Sequence, residues 1–432
     1  MATTNLRDTY GTIDMELKKY KLGELADFYG GVAYKPSDIT NEGIRIIRGG
    51  NIQNGVILEK ADDVFLPLSY ANPENQIHIY DTIIVSSTGS IDTLAKAATC
   101  FEEMPGTQIG AFLRIIRPKD KKNAMLISAW CTSQHFRDYM INCAKGTSIN
   151  NIRTDFLENY ELVVPSDENV RGLSSLYLNI ERKLYLNRHI NQNLEALAKQ
   201  LYDYWFVQFD FPDEQGLPYR TSGGLMKYEP KLKKEIPIDW HCGNLFEIAN
   251  FTNGLACQNH RPKEGEQPLP VIKIREMRDG FTNDTEFVTP NIPENVKVYN
   301  GDVLFSWSAS LEVMLWAFGD GGLNQHIFKV TPAKGFPKSF YYYQLLNYVD
   351  VFKHIADARK TTMGHITQDH LQQSTIAIPD DVEIANKLEK RIAPIFEAII
   401  NNQVEISDLI KQRDELLPLL MNGQVNFDLS AC

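Results

Sequence analysis

Two segments of the chain carry hydrophobic residues at alternating steps of four and three. This spacing, kept over about four heptads, holds one apolar stripe against a partner, so each segment predicts a long coiled-coil helix. Because neither stripe can stay exposed, we expect the two helices to pair with each other and to run antiparallel. The stripe positions are Leu173, Tyr177, Ile180, Leu184, Asn187, Asn191, Leu194, Ala198, Leu201 and Trp205, then Leu388, Ile392, Ile395, Ile399, Asn402, Ile406, Leu409, Arg413, Leu416 and Leu420.

Three asparagines and one proline depart from the apolar pattern of these stripes. Asn187, Asn191 and Asn402 fall on core positions, where a buried amide weakens packing but specifies register. We therefore predict that they fix the coiled-coil register. Pro394 lies inside the second pattern and predicts a kink or a helix start at that point.

Four stretches of the remaining sequence occur twice, in the same order. The period is roughly 210 to 220 residues, as expected for a duplicated domain rather than a short repeat. Each copy alternates buried strand patterns, turns and short helices, which predicts one α/β module present twice. The pairs are LGELADFYGG from Leu22 with NLFEIANFTNG from Asn244, RIIRGGNIQNG from Arg45 with VIKIREMRDG from Val271, IYDTIIVSSTGS from Ile79 with VYNGDVLFSWSAS from Val298, and KGTSINNIRTDFLENYELVVP from Lys145 with KTTMGHITQDHLQQSTIAIP from Lys360.

The segment between the two copies has the composition of a linker. It runs from Val207 to Trp240 and contains four prolines and the turn sequence Ser-Gly-Gly. Such a segment predicts an extended connection. Its aromatic residues indicate that it is held along the helices.

Charge does not decide whether the partner is a polyanion. The 432 residues carry 44 Lys and Arg against 55 Asp and Glu, a net charge of -11. The distribution is uneven: 17 basic and 20 acidic residues lie in 1–165, 12 and 14 in 240–378, and 5 and 10 in 380–432. Both repeats are thus close to neutral, and much of the acidity belongs to the second helical segment. The mean charge therefore does not exclude DNA binding.

Cysteine spacing and hydropathy suggest a reducing cytoplasm. The six cysteines lie far apart without a CxxC pair, so neither a disulfide framework nor a zinc ribbon is predicted. Cys257 with His260, and His365 with His370, lack the second half of a zinc site. The start of the sequence has no apolar signal region, and no window of about 18 residues is free of charge.

Several strings resemble catalytic motifs only in part. Phe318–Gly322 reads FGDGG, but no NPPY or DPPY tetrapeptide accompanies it, so we interpret it as a hairpin turn. Pro379–Asp381 lacks the later carboxylate and lysine of a nuclease motif and predicts a helix start. The sequence contains no Walker A string, and SSTGS from Ser86 is no nucleophile elbow.

Three further strings carry a family resemblance. They are LYDYWFVQFDFP from Leu201, PYRTSGGLMKYEP followed by KKEIPIDW from Pro218, and QRDELLPLLMNGQV from Gln412. Together with the repeat, they resemble the specificity subunit of a Type I restriction-modification system, from about Leu22 to about Val425.

The resemblance implies an α+β fold with two α/β target-recognition domains in tandem, separated by two long helices that form an antiparallel coiled coil. On this basis we expect an N-terminal tail at 1–20, domain 1 at 21–166, spacer helix 1 at 167–207 and a linker at 208–240. Domain 2 would follow at 241–379, spacer helix 2 at 380–424 and a C-terminal tail at 425–432. The stripe from Ile180 to Trp205 would be about 39 Å long, close to one turn of B-DNA.

The resemblance also implies function and partners. Each recognition domain would read one half of a bipartite, asymmetric site in double-stranded DNA. The coiled coil would set the spacing and dock two methyltransferase subunits, and nuclease/translocase subunits would complete the complex. The chain itself would have no catalytic residues, metal or cofactor, because S-adenosylmethionine, ATP and Mg²⁺ would bind the partners. Tyr202, Tyr204 and Phe206 are candidate exposed contacts for the methyltransferase.

Candidate DNA contacts lie in loops at matching points of both repeats. Lys and Arg, hydroxyls and amides are the side chains that contact phosphates and base edges. In the first repeat they are Ser86, Ser87, Thr88, Ser90, Lys96, Lys145, Thr147, Ser148 and Arg153. In the second they are Lys273, Arg275, Ser306, Trp307, Ser308, Asn324, Gln325, His326, Lys360, Thr361 and Thr362.

Two other functions remain open on the residues alone. One is a stand-alone DNA methyltransferase or nuclease of unfamiliar pattern, which would use the FGDGG or Pro379–Asp381 segments. The other is a scaffold without a role on DNA, which the near-neutral repeats allow.

Overall fold

The chain divides into two compact units. The computed structural model describes residues 17–53, 55–60, 62–91, 93–144, 150–165, 167–282, 284–308, 311–358 and 366–421. Of these, 17–186 and 409–421 belong to the first unit, and Asn187–Asp408 form the second.

The first unit contains short strands, four short helices and the start of a long one. The strands are β1 (Leu17–Lys21), β2 (Ala26–Gly30), β3 (Ile44–Ile47), β4 (Ile52–Gln53), β5 (Val56–Ile57), β6 (Val64–Leu66), β7 (Thr82–Val85), β8 (Ser87–Thr88), β9 (Ala97–Thr99), β10 (Thr107–Ile109), β11 (Leu113–Pro118), β12 (Asn150–Asn151) and β13 (Glu161–Pro165). The helices are α1 (Leu22–Leu25), α2 (Ala124–Thr132), α3 (Gln134–Ala144), α4 (Thr154–Glu158) and α5 (Asp167–Tyr202).

The second unit has a comparable set of elements. The strands are β14 (Met226–Glu229), β15 (Lys234–Pro237), β16 (Trp240–Gly243), β17 (Ala249–Asn253), β18 (Leu269–Ile272), β19 (Phe287–Val288), β20 (Lys297–Val298), β21 (Val303–Ser306), β22 (Glu312–Leu315), β23 (Gly321–Leu323), β24 (Ile327–Pro332) and β25 (Ile376–Pro379). The helices are α6 (Leu245–Ile248), α7 (Ile274–Asp279), α8 (Lys338–Ala358), α9 (Gln368–Gln372) and α10 (Glu383–Met421).

The two units share most of their sheet topology. In the first, β2, β11, β7 and β9 form an antiparallel sheet, and β10, β3 and β6 form a second sheet in which β10 and β3 are parallel. In the second unit, β17, β24, β21 and β22 correspond to the first sheet. The parallel pair there is β18 with β23. The predicted tandem repeat of one α/β module is confirmed.

Each module closes by pairing its first strand with its last. β1 pairs antiparallel with β13, and β16 pairs antiparallel with β25. The central strands β7 and β21 are buried along their whole length, as their mostly β-branched and apolar residues predict. A long helix follows each closing strand directly, with α5 after β13 and α10 after β25.

The two long helices pair antiparallel through the predicted stripes. In the first unit, Arg413 of α10 lies 3.5 Å from Glu181 of α5. In the second unit, Asn187 of α5 donates to Glu405 at 2.7 Å, and Asn191 donates to the carbonyl of Ile399 at 3.1 Å. Stripe residues such as Leu184, Ala198, Leu388 and Ile392 are fully buried. Among the described helices, none is long and apolar enough to span a membrane.

The three core asparagines form part of one polar ladder in the second unit. Besides its bond to Ile399, Asn191 accepts a hydrogen bond from the amide of Asn402 at 3.0 Å. Asn187 and Asn191 are each 7% exposed. A slip of the helices would leave these amides buried without partners, which is the physical basis on which we predict that they specify register.

Pro394 does not begin the second helix. α10 begins at Glu383 and continues through Pro394. The carboxylate of Asp381 accepts the amide N–H of Glu383 at 2.9 Å, so the segment after Pro379 caps the first turn, as its acidic residues predict.

The segment between the modules folds back onto the second unit. α5 ends in a π-helical turn, Asp203–Val207, and β14 pairs with β15 as a hairpin. Phe209, Phe211 and Trp240 are buried in the core of the unit together with the end of α5. The expectation that Tyr202 and Phe206 are exposed is wrong, because they are 1% and 3% exposed, whereas Tyr204 is 39% exposed.

Replacing Asn191 by leucine should lower the free energy of unfolding of the second unit by about 1–3 kcal/mol, because the amide of Asn402 then loses its acceptor. The double variant Asn191→Leu/Asn402→Leu should regain most of this loss. Chemical denaturation, monitored by hydrogen exchange in α5, measures the stability of the single and the double variant. The control is Asn193→Leu, on the exposed face of α5. A double variant less stable than either single one would contradict the ladder.

Candidate nucleic-acid interface

A polar cleft lies at one edge of the second unit, where the parallel strands β18 and β23 end. Because the carboxyl ends of parallel strands meet at the same edge of a sheet, Lys273 after β18 and Asn324 after β23 come together. The N–H of Asn324 donates to the carbonyl of Ile272 at 3.1 Å. The cleft measures about 470 Å³ and is lined by Cys257, Gln258, Arg261, Lys273, Ile274, Arg275, Glu286, Asn324, Gln325 and His326.

The cleft holds more positive than negative charge. Glu286 faces two cations, with Lys273 Nζ 2.6 Å from its Oε1 and Arg261 3.7 Å from its Oε2. The hydrogen bond and the charge of Lys273 hold the pKa of Glu286 below its usual range. Arg275 binds Glu276 at 2.8 Å, and this hydrogen bond raises the pKa of Arg275. Exposed ion pairs of this kind are weak, so Lys273 and Arg261 can exchange a carboxylate for another anion.

Three consecutive polar residues lie beside these cations. Asn324 is 8% exposed, and its side-chain oxygen accepts the N–H of His326 at 3.4 Å. Gln325 Nε2 lies 3.4 Å from His326 Nε2. His326 Nδ1 is buried and has no hydrogen-bond partner in the part of the chain that the structure describes. Amide side chains of this type form paired hydrogen bonds with base edges.

An indole ring adjoins the polar residues. The ring of Trp307 lies 5.6 Å from that of His326, and its Nε1 donates to Asn253 at 3.1 Å. Ser306 and Ser308 on either side are buried, and Ser306 Oγ donates to the carbonyl of Ser308 at 3.3 Å. These two serines therefore hold the loop, while Trp307 is partly exposed on it.

The first unit repeats the backbone of this edge hydrogen bond by hydrogen bond. Gly110, Ala111 and Phe112 stand where the second unit has Asn324, Gln325 and His326. The bond from Gly110 N to Ile47 O, at 2.9 Å, matches the bond from Asn324 N to Ile272 O, at 3.1 Å. Ala111 N to Val32 O, at 2.9 Å, matches Gln325 N to Leu255 O, at 2.8 Å. Ser86 N to Phe112 O, at 2.9 Å, matches Trp307 N to His326 O, at 3.3 Å.

A glycine permits the close backbone approach beneath each edge. A Cβ at Gly31 would lie 2.0 Å from the carbonyl oxygen of Gly110, and one at Gly254 would lie 2.3 Å from that of Asn324. Because backbone atoms cannot rotate away, any larger residue would displace the edge.

Sequence reasoning missed Arg48, Arg261 and Phe112. Arg48 stands where the second unit has Lys273, since both follow the parallel strand and both donate their N–H to a side chain three residues later. Its guanidinium donates to Asp62 Oδ2 at 2.9 Å. The sequence could have identified Arg48, because it follows the strand residues in RIIRGG as Lys273 does in VIKIRE. Arg261 lies in a loop with no counterpart among the matched strings.

Four of the predicted first-unit residues, Ser86, Ser87, Thr88 and Arg153, lie in one loop cluster. Ser86 is buried and its Oγ donates to Phe112 O at 3.1 Å, while Ser87 and Thr88 form β8, which pairs with β12. The N–H of Ile152 donates to Ser86 O at 2.7 Å, which brings Arg153 beside this loop.

The other first-unit candidates that the structure describes are at the surface. Ser90 and Lys96 are exposed. Arg153 is exposed too, and it pairs with Asp155 at 2.7 Å. Six predicted contacts lie outside the described residues, namely Lys145, Thr147, Ser148, Lys360, Thr361 and Thr362.

The motif-like strings serve the fold. The FGDGG turn joins β22 to β23, which belong to different sheets, so the predicted hairpin is wrong. Its Gly319 has a positive φ of 99° and donates to Asn300 at 2.8 Å. Within the described ranges, no group of three His, Cys, Asp or Glu side chains could hold a metal ion.

Comparisons with known proteins agree on one family. The model for the Type I restriction modification DNA specificity domain matches residues 237–416. The chain is 24% identical to the Type I restriction enzyme MjaIX specificity subunit of Methanocaldococcus jannaschii, over 96% of this chain and 94% of the relative. It is 25% identical to the EcoKI specificity subunit of Escherichia coli K12, over 86% and 82%. Residues 237–416 carry the family's DNA specificity domain, and the similarity to specificity subunits of Type I restriction-modification systems extends over nearly the whole chain.

A solved structure agrees in fold. The S subunit of a Type I system from M. genitalium superposes with a TM-score of 0.54 at 14% identity, covering 94% of this chain and 96% of that one. As a specificity subunit, the chain is a non-catalytic component for DNA specificity. A stand-alone methyltransferase or nuclease is not favoured.

Proposed function

We propose that each unit of this specificity subunit reads one half of a bipartite, asymmetric site in double-stranded DNA. The paired helices α5 and α10 set the spacing of the half-sites and dock two methyltransferase subunits. Nuclease/translocase subunits complete the complex, and S-adenosylmethionine, ATP and Mg²⁺ bind these partners. The complex works in the cytoplasm, where the chromosomal DNA lies. The observation that carries the proposal is that one backbone edge, built twice, carries two different sets of side chains.

The cations at each edge supply contacts to phosphates. Lys273 and Arg261 in the second unit are both at least 40% exposed and share one carboxylate. Arg48, at the matching point of the first unit, forms an ion pair with the exposed Asp62. A DNA phosphate can replace these carboxylates because it also offers negatively charged oxygens. The existing ion pairs contribute little free energy, since they are exposed to solvent.

The amides of the second unit supply base recognition. Asn324 is positioned by strand β23 and by its bond to the N–H of His326, so its backbone is fixed before DNA binds. Gln325 and His326 project beside it into the cleft. Asn and Gln pair with the N6 and N7 atoms of adenine in the major groove, so we assign an adenine to the second half-site.

The two edges favour an asymmetric site. Where the second unit has two amides and an imidazole, the first has Gly110, Ala111 and Phe112. These side chains cannot make the same hydrogen bonds. The two half-sites must therefore differ in sequence, although the scaffold that reads them is the same.

One exposed face of α5 carries aliphatic side chains. Ile190 and Leu197 are 45% and 46% exposed on α5, two turns apart on one face, which flanks the stripe that packs against α10. Exposed aliphatic residues at this spacing fit a groove of another protein. We assign this face to a methyltransferase subunit.

The function is tested by co-purifying the chain with its methyltransferase partner, incubating the complex with S-adenosylmethionine and genomic DNA, and mapping the modified bases. Methylation confined to an interrupted, asymmetric motif is expected. Methylation without a motif, a palindromic motif, or methylation by this chain alone would contradict the proposal.

Replacing Lys273 by glutamine should weaken DNA binding by about fivefold to tenfold and reduce the salt slope of log K by about 0.9, because one phosphate contact is lost. The matched control is Lys334→Gln. Lys334 also pairs with a surface glutamate, Glu247 at 3.4 Å, but lies beyond the opposite end of β24 from His326. Titration at several salt concentrations measures the difference, and equal behaviour of the two variants would place Lys273 outside the interface.

A further inference from the structure

Phe112 is an exposed aromatic side chain on a rigid backbone. Its side chain is 67% exposed. Its carbonyl oxygen accepts hydrogen bonds from Ser86 N at 2.9 Å, Ser87 N at 3.1 Å and Ser86 Oγ at 3.1 Å. The residue that follows, Leu113, is buried and begins β11. The backbone thus holds the ring in the solvent, at the cost of an unburied apolar surface.

The place of Phe112 in the repeat indicates what it contacts. It occupies the position of His326, at the same step of the same edge, with the same bond from its carbonyl to the neighbouring loop. In the second unit this position lines the cleft that we assign to DNA. A residue on the equivalent backbone of the first unit therefore faces the same kind of ligand.

The charges nearby favour DNA over an apolar protein surface. Ser86, which holds the carbonyl of Phe112, follows Val85, whose N–H donates to the carbonyl of Lys96 at 2.9 Å. Ser86 O in turn accepts the N–H of Ile152, next to Arg153. Two exposed cations are thereby attached to the loop that holds Phe112. An apolar ring on a loop whose backbone is bonded to segments that carry exposed cations suits a ligand with an anionic backbone and apolar groups on its bases.

The chemistry of the edge selects one base. Gly110, Ala111 and Phe112 carry no side-chain donor or acceptor, so they cannot read a base edge through hydrogen bonds. The apolar group that a base pair presents in the major groove is the C5 methyl of thymine, which Ala and Phe side chains contact. We propose that Phe112 is a specificity-determining residue that contacts the C5 methyl of a thymine in the half-site of the first unit. This inference rests on the proposed function.

The test uses the complex with its methyltransferase and a duplex that carries the mapped motif. Each thymine of the half-sites, on either strand, is replaced in turn by deoxyuridine, which lacks only the methyl group. For the native chain, one replacement should weaken binding roughly fourfold, as expected for one methyl group left in water. Phe112→Ala should weaken binding to the thymine duplex and should bind the two duplexes equally.

The control is Leu68→Ala. Leu68 is 76% exposed in the same unit, and it follows the end of β6 that pairs with Ile44, at the opposite end of β3 from Arg48. This variant should keep the native preference for thymine. Circular dichroism and co-purification with the methyltransferase show that each variant is folded.

The outcomes separate the inference from the proposed function. A half-site without thymine, or a thymine preference that Phe112→Ala leaves unchanged, overturns the inference alone, since the native complex still recognises its motif. A native complex without any motif overturns the proposed function and this inference with it.

Discussion

The parallel pairing of two short strands in each unit is the constraint on which the candidate interface depends. β3 with β10, and β18 with β23, bring chain segments that are far apart in sequence to one edge. The close backbone approach beneath that edge leaves room only for Gly31 and Gly254. Without this pairing, Lys273 and Asn324 would not lie in the same cleft. The rest of each module, from the antiparallel sheet to the closing strand pair, holds these two strands in place.

The edge of each unit is stabilised mainly through its backbone. The backbone of the edge is held by hydrogen bonds that any residue can make, since they join main-chain groups. Of the side chains above it, Phe112 is largely exposed and Gln325 and His326 are half-buried, whereas Asn324 is buried. Substitutions at exposed positions usually cost little stability. The same backbone edge can therefore carry different side chains without a change of fold, as it does in the two units.

Much of the fold was predictable because it depends on periodic patterns. The stripes of α5 and α10 follow from steps of four and three, and the buried residues Leu184 and Leu388 lie on them as expected. The duplicated modules follow from strings that recur in order. The loop residues Lys273, Arg275 and Asn324 were placed in one site from the same comparison, and the structure brings them into one cleft.

Several errors and omissions concern exposure, which sequence patterns determine poorly. Ser306 and Ser308 have the composition of a surface loop, yet both are buried beneath Trp307. Phe112 was not predicted as a contact, because a phenylalanine between the buried residues Ile109 and Leu113 looks like a core residue, whereas its side chain is 67% exposed. Tyr202 and Phe206 look like surface aromatics of a helix end, but the chain after α5 folds back and covers them. In each case, segments distant in sequence decide the environment.

The central claim is that the edge residues of each unit determine one half of the motif. The most direct measurement is to give the second unit the edge of the first, by Asn324→Gly, Gln325→Ala and His326→Phe together, and to map the bases that the complex methylates. The account predicts that one half of the motif changes while the other half and the spacing stay as in the native complex. An unchanged motif, or a change in both halves, would contradict it.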